Sequence, residues 1–210
     1  MISAERIEAG YPTGGLAVAG PSELTVAAFR ASGAMFYAEI GVYEGDTALA
    51  VARELDGCGE IHLFDFEDKV TAAAARLAAD GHLNVVAHPN TRKLMDSYCW
   101  SLMELLRERD EPRFDYVFLD GAHTWAVDAL AFVLVDRLLV PGGHVEFDDY
   151  FWTIERSPSM NPGVFPASDR MYTREQMREP QVALVVDLLV RRDERYEEIV
   201  ANRLFRKRPA

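Results

Sequence analysis

The chain has 210 residues, 49% hydrophobic and 27% charged, a balance that excludes global disorder. No apolar run approaches the ~18 residues of a membrane span. The net charge of −12, from 22 basic against 34 acidic residues, opposes the basic footprint of a nucleic-acid binder.

The length predicts one domain over residues 1–210, with residues 1–34 as an N-terminal cap segment. Met1 to Gly10 carries Glu5, Arg6 and Glu8 and lacks an apolar centre, so no secretory signal is expected. Gly10 to Pro21 is rich in glycine and proline and reads as a loop. Ser22 offers an N-cap for a helix over roughly Glu23 to Ala31. From Met35 onward strands and helices alternate. Strands are predicted over Phe36 to Val42, Ile61 to Phe66, Leu83 to Ala87, Tyr116 to Leu119 and His144 to Phe147. Helices are predicted over Thr47 to Leu55, Val70 to Ala79, Lys93 to Arg109 and Ala126 to Leu139, the last closed by Pro141-Gly142-Gly143. Phe151 to Thr173 holds Pro158, Pro162, Gly163 and Pro166 and shows no period, which predicts a long loop covering a substrate. A helix then runs to about Leu189. Arg195 to Val200 and Arg203 to Lys207 form a hairpin, whose basic end is read as solvated.

Strands alternating with helices of this length predict an α/β fold, a doubly wound, mostly parallel sheet. Such sheets bind ligands at the carboxyl ends of their strands. Those ends read Glu39-Ile40-Gly41, Asp65-Phe66-Glu67, His88-Pro89-Asn90, Asp120-Gly121-Ala122-His123 and Asp148-Asp149-Tyr150. Carboxylates converging on one edge repel one another unless a ligand or cation offsets them. Cys58 and Cys99 lack the spacing of a disulfide framework or a zinc site, and a reducing cytoplasm is the expected compartment.

The first turn narrows the cofactor. Gly41-Val42-Tyr43-Glu44-Gly45-Asp46-Thr47 fails the dinucleotide fingerprint, because Tyr43 and Asp46 stand where glycines are required. No phosphate-binding lysine is present. Glu44 and Asp46 would repel a pyrophosphate and would not repel a cationic or zwitterionic ligand. Asp65, ending the second strand, is placed to accept from two ribose hydroxyls. A ribose without phosphates, carrying an ammonium and a sulfonium, describes S-adenosylmethionine; the bland alternative leaves Gly41 and Gly45 as simple turn glycines.

The motifs EIGVYEGDTALA, LFDFED, VFLDGAHTW and LLVPGGHVEFDDY, in this order, resemble the class I S-adenosylmethionine-dependent methyltransferases over roughly residues 35 to 207. The resemblance implies a Rossmann-like seven-stranded sheet with an antiparallel last strand. It places Glu39, Gly41, Tyr43, Gly45 and Thr47 around the methionine part of the cofactor. Asp65 would hold the ribose, with Phe66 beside the adenine and Asn90 and Thr91 in the loop on the adenine side. Asp120 is included among the cofactor-facing and catalytic residues, and S-adenosylhomocysteine is the implied product.

Asp120, Asp148 and Asp149 supply carboxylates of the kind that hold magnesium. The pattern is similar to the divalent-metal-dependent small-molecule O-methyltransferases of the catechol and macrolide-sugar types. In the sugar type an acid stands two residues after the first aspartate; here that position is Ala122, and His123 is the candidate base. Trp125, Tyr150, Phe151 and Trp152 are candidates for an apolar acceptor pocket or for core filling, with Trp125 assigned to the core. The expected partner is a small hydroxylated acceptor, with neither nucleic acid nor membrane. Val164 and Phe165 would contact a second subunit in a homo-oligomer. A metal-independent methyltransferase of the same fold, and a non-catalytic S-adenosylmethionine- or nucleotide-binding module, remain as alternatives.

Overall fold

The computed structural model describes residues 20–93, 95–108 and 112–209. Residues 10–19 of the expected N-terminal covering loop, and Leu94 and Arg109 of the expected helix, lie outside them. Ser22 caps α1 (Glu23–Ser32), its side chain accepting from the Thr25 N–H, and Gly33 closes the helix at φ 67°. There follow β1 (Phe36–Ile40), α2 (Asp46–Leu55), β2 (Glu60–Phe66), α3 (Glu67–Ala79), β3 (Val85–Asn90) and α4 (Tyr98–Glu108). Next come β4 (Phe114–Leu119), α5 (Trp125–Leu138) and β5 (Leu139–Phe147), then two short helices, α6 (Ser168–Met171) and α7 (Arg174–Arg178). The chain ends with α8 (Gln181–Val185), which widens into a π-turn over Val186–Val190, and the hairpin β6 (Tyr196–Val200) and β7 (Leu204–Lys207).

All seven strands join one sheet in the order β3-β2-β1-β4-β5-β7-β6. β7 is antiparallel to both its neighbours and the other pairings are parallel. Strand order therefore reverses between β1 and β4, and that reversal opens a crevice at the carboxyl edge.

Side-chain alternation loads both faces of the sheet. Ala38, Ile40, Phe64, Val117, Leu119, Val145 and Phe147 form a core with residues of α4, α5 and α8. Tyr37, Ile61, Leu63, Tyr116 and Phe118 form the opposite core with residues of α1, α2 and α3. Burial on both faces is what a parallel sheet requires, and it explains the near-continuous apolar strands.

Three local readings are corrected. β3 runs to Asn90, because Asp65 and Phe66 pair with Pro89 and Asn90 and draw the strand further along. Pro141-Gly142-Gly143 lies within β5; the register jumps from Phe114 opposite Leu139 to Tyr116 opposite His144, so these residues bulge out of the ladder. Residues 151–173 are not one unstructured loop. They contain a 3-10 turn (Ile154–Arg156) and α6, with Ile154, Ser157 and Ser168 buried. The Ser168 hydroxyl donates to the Met160 carbonyl at 2.6 Å, so a buried polar group closes a segment that lacks hydrophobic periodicity.

Beneath α4, His62 is fully buried and its Nδ1 lies 2.7 Å from Nε2 of His88. His88 stacks on Phe64 at 4.2 Å. Burial, reinforced by the Arg113 guanidinium, lowers His62 to about 3 and His88 to about 4. An unfolded histidine titrates near ~6.5, so below that pH the unfolded chain takes protons that the fold refuses. This contribution to stability is complete above the unfolded value and declines as pH falls toward the folded values. The melting temperature should drop between pH 6.5 and 4, and His88→Phe, which retains the stack, should flatten part of the drop. An equally steep decline in the variant would exclude the pair as its cause.

Gly41 adopts φ +88°, and a Cβ there would overlap the carbonyl of Asp120, so β1 and β4 approach at a distance only glycine permits. Gly41→Ala should cost at least ~2 kcal/mol in chemical denaturation, the scale of overpacking plus left-handed strain. A stability within 0.5 kcal/mol of wild type, roughly the range of a neutral surface change, would show that the strand ends can separate freely.

Candidate active site

Backbone bonds step across the strand ends and set the site's floor. Gly41 N–H donates to Phe64 O (2.9 Å), Asp120 N–H to Ile40 O (2.8 Å) and Asp148 N–H to Leu119 O (3.0 Å). The residues that follow β2, β1, β4 and β5 are thereby aligned on one edge. A groove lined by Phe36, Glu60, Leu83 and Val85 lies at the opposite, amino-terminal edge, away from these carboxylates.

The cofactor-side candidates gather around the β1–α2 turn. Tyr43 (φ 49°) and Gly45 (φ 74°) both take left-handed conformations. A Cβ at Gly45 would press on Ala73 of α3 at 2.9 Å, so this glycine serves packing as well as the turn. Tyr43 is exposed, with the Lys69 ammonium 4.5 Å from its ring centre. The Thr47 hydroxyl, in the first turn of α2, accepts the N–H of Ser22 at 3.0 Å.

Asp65 is tied to that turn. Its Oδ2 accepts the N–H groups of Val42 (2.8 Å) and Tyr43 (3.0 Å), and its Oδ1 accepts that of Phe66 (2.7 Å). A carboxylate has about four acceptor sites, so these bonds leave less room than two ribose hydroxyls would take. Phe66 lies under the Arg92 guanidinium at 4.3 Å. Thr91 donates to Asp96 through both its N–H and its hydroxyl. Asn90 is buried, and its Oδ1 has no hydrogen-bond partner among the described residues. A buried orphan acceptor is uncommon and calls for a donor.

Glu39 is almost completely buried and accepts the Tyr37 hydroxyl at 2.8 Å. Burial pushes its carboxyl up to about 8; the Tyr37 bond opposes the rise, and Asp120, Asp65 and Glu146 add to it.

Asp120, His123 and Asp149 converge: one ligand atom from each lies within 4.8 Å of the others. His123 Nε2 is 3.0 Å from Asp120 Oδ1 and 3.5 Å from Asp149 Oδ2. Both His123 and Asp149 have φ 55°, a left-handed conformation costly for non-glycine residues and concentrated at functional sites. Burial opposes charging of His123, but the bond and charge of Asp120, with the charge of Asp149, push it up to about 9. Burial raises Asp120 to about 6; His123 opposes this, and Asp148 and Asp149 reinforce it. At neutral pH the cluster therefore holds its histidine as a cation.

Asp148, grouped by sequence with Asp120 and Asp149, is engaged elsewhere: its Oδ1 pairs with Arg203 Nη1 at 2.7 Å. Reading Arg203 as a solvated terminal residue is corrected, since its side chain is mostly buried against Glu146, Asp148 and Ser22. Glu146 and Asp148, two apart at the end of β5, are the signal in the sequence for a cation brought in from elsewhere, here the β6–β7 turn. Another support escaped sequence reasoning. Tyr98, itself bonded to Asp128, accepts the Ala122 N–H at 3.0 Å and so braces the loop that carries His123.

Among the aromatic candidates, Trp152 packs on His123 with ring centres 5.2 Å apart. Tyr150 packs against the core and donates to Asp187 at 2.9 Å. Phe151 meets Tyr150 edge-on at 4.8 Å. Trp125 is 39% exposed, which corrects its assignment to the core; it opens α5, where its N–H donates to Gln181 Oε1.

The architecture has solved counterparts. They include the O-methyltransferase TomG of Streptomyces achromogenes, involved in tomaymycin synthesis and bound to S-adenosylmethionine (20% identity, TM-score 0.50, covering 81% of this chain and 69% of that one). An O-methyltransferase of Bacillus cereus with S-adenosylhomocysteine matches at 16% identity and TM-score 0.58, covering 92% and 80%. The S-adenosylhomocysteine-bound methyltransferase PaMTH1 of Podospora anserina matches at 18% identity and TM-score 0.58, covering 98% and 85%. These likenesses are of fold. No curated protein matches the chain in sequence. The family model described as a methyltransferase domain matches residues 38–150, from the strand before the glycine turn through the aspartate pair, which is more than half the chain. The chain belongs to the methyltransferase domain family, and its sheet is that of the class I S-adenosylmethionine-dependent methyltransferase fold.

Proposed function

We propose that this protein methylates a hydroxyl oxygen of a small molecule with the help of a divalent cation, magnesium being the first choice. The carrying observation is the convergence of Asp120, His123 and Asp149 beside the glycine turn, at the same sheet edge. The O-methyltransferases of similar fold named above support the acceptor class. The donor set fits a cation: two hard carboxylates that already hold an imidazolium between them draw positive charge.

Asp120 and Asp149 would hold the cation. Bound there, it would supply Lewis-acid activation of a hydroxyl and a template for two neighbouring oxygens. With the cation's charge in place of the imidazolium's, His123 would first release its proton to solvent and then, as a neutral imidazole, take the hydroxyl proton at Nε2, the atom facing both carboxylates. Trp152, tilted against His123, would form one wall for the acceptor and exclude water from the nucleophile.

The orphan Oδ1 of Asn90 fits the cofactor: it would accept from the adenine amino group, and a remaining acceptor site on Asp65 would take a ribose hydroxyl. Glu39, Tyr43, Gly45 and Thr47 would surround the methionine end, with Gly41 letting the backbone pass close. No helix among the described residues is long and apolar enough to cross a membrane. Cys58 and Cys99 are free, in keeping with a cytoplasmic setting. Val164 and Phe165 are exposed and available to a second subunit.

Methyl transfer to a panel of vicinal diols and catechols, run with magnesium and then with chelator, tests this reading. Turnover should vanish on chelation and return with the metal. Full turnover in chelator would favour the metal-independent alternative, and no turnover with any acceptor despite cofactor binding would favour the non-catalytic module.

His123→Ala should lower kcat by ~10²–10⁴-fold with unchanged affinity for S-adenosylhomocysteine. A fall of less than tenfold would remove it as the base. Asn90→Ala should weaken S-adenosylhomocysteine by ~3–10-fold in calorimetry, the worth of one net hydrogen bond. Equal affinity would show that Asn90 does not meet the adenine.

A further inference from the structure

We infer that Arg203 is a positioning residue that decides which of two adjacent aspartates faces the cation, holding Asp148 aside so that Asp149 completes the cluster. The inference rests on the cation reading above.

Glu146, on β5, and Asp148, just past its end, reach the same side, where both meet Arg203. Arg203, in the β6–β7 turn, is fixed alongside them because its carbonyl accepts the Phe147 N–H at 2.8 Å. Its three guanidinium nitrogens then reach four acceptors: Nε donates to Glu146 Oε1 (2.6 Å), Nη1 to Asp148 Oδ1 (2.7 Å), and Nη2 to Ser22 Oγ (3.0 Å) and Thr25 Oγ1 (3.4 Å). Glu146 is fully buried and also accepts from the hydroxyls of Tyr116 (2.6 Å) and Thr25 (2.9 Å), which anchors the fork from behind. A planar fork with both ends seated cannot follow Asp148 toward the cluster.

The consequence for Asp149 is geometric. Its N–H donates to the held Oδ1 of Asp148 at 2.9 Å, and its left-handed backbone, φ 55°, turns its own carboxylate toward His123. Freed of Arg203, Asp148 would be a second carboxylate beside the first, able to become a ligand. The third arm of the fork reaches the N-cap of α1, whose N–H donates to Thr47, so the same arginine ties the cation end of the site to the cofactor turn.

The test is a thermodynamic cycle on metal affinity, not on turnover. Manganese(II) is titrated by calorimetry into chelator-stripped, full-length protein: wild type, Asp148→Asn, Asp149→Asn, Arg203→Gln, and Arg203→Gln combined with Asp148→Asn. In wild type, Asp149→Asn should weaken manganese at least tenfold and Asp148→Asn less than threefold. In the Arg203→Gln background, Asp148→Asn should weaken it at least tenfold, because the released carboxylate has become a ligand. A merely structural arginine would lower the melting temperature and leave the effect of Asp148→Asn the same in both backgrounds, which would overturn the inference. If Arg203→Gln does not fold, the two aspartate variants still decide, since equal losses overturn it. Wild type that binds no manganese would overturn the cation reading itself, and this inference with it; a wild type that binds with equal losses would overturn the inference alone.

Discussion

The carboxylates of Glu39, Asp65, Asp120, Glu146, Asp148 and Asp149 crowd the ends of four neighbouring strands, and their mutual repulsion governs the arrangement of everything around them. Each is offset by a different device. Glu39 is pushed toward its neutral form by burial and takes a hydrogen bond from Tyr37. Asp65 collects backbone N–H groups from the glycine turn. Glu146 and Asp148 share one guanidinium, that of Arg203. Asp120 and Asp149 share the His123 imidazole. Buried charges survive only when paired or neutralised. Of these arrangements, the histidine-centred one is the readiest to exchange its positive charge for another, because a proton leaves more easily than a guanidinium or a backbone.

Backbone geometry makes this crowding possible. Gly41 lets β1 and β4 approach without a side chain between them, and the peptide bonds from Phe64 through Ile40 to Leu119 keep the strand ends level. His123 and Asp149 are both held in left-handed conformations, one after β4 and one after β5. Each conformation reverses a side chain that the strand's alternation would have sent elsewhere. The cost is of order 1–3 kcal/mol per residue and is borne by rigid surroundings: Tyr98 and Asp128 behind His123, Arg203 behind Asp149.

The division of labour in the proposed reaction follows from this frame. The half of the edge built on β1, β2 and β3 offers backbone, the carboxyl groups of Glu39 and Asp65 and an orphan amide oxygen, which suits recognition of a nucleoside. The half built on β4 and β5 offers charge and an imidazole, which suits proton removal and alignment of an oxygen nucleophile. The segment after β5 brings Trp152 onto His123, so in the proposed reaction residues 151–173 would shape the acceptor site and the strand ends would carry the chemistry.

Much of this was legible in the amino-acid sequence. Strand and helix alternation fixed the parallel sheet, because apolar runs of that length and spacing can be buried only that way. The failure of the dinucleotide fingerprint at Tyr43 and Asp46, with Asp65 after the second strand, pointed to the cofactor class through charge alone. The ordered motifs named the family. What sequence could not supply was direction. Asp148 and Asp149 are chemically identical neighbours, and only a left-handed φ and the approach of Arg203 from a distant hairpin separate them. The order within residues 151–173 was hidden because it rests on buried serines and a single isoleucine and not on a periodic apolar face. The His62–His88 contact was equally hidden, since it depends on the register between two strands. Composition and spacing thus determined which groups reach the sheet edge; tertiary packing decided where each one points, because orientation depends on contacts between residues far apart in the chain.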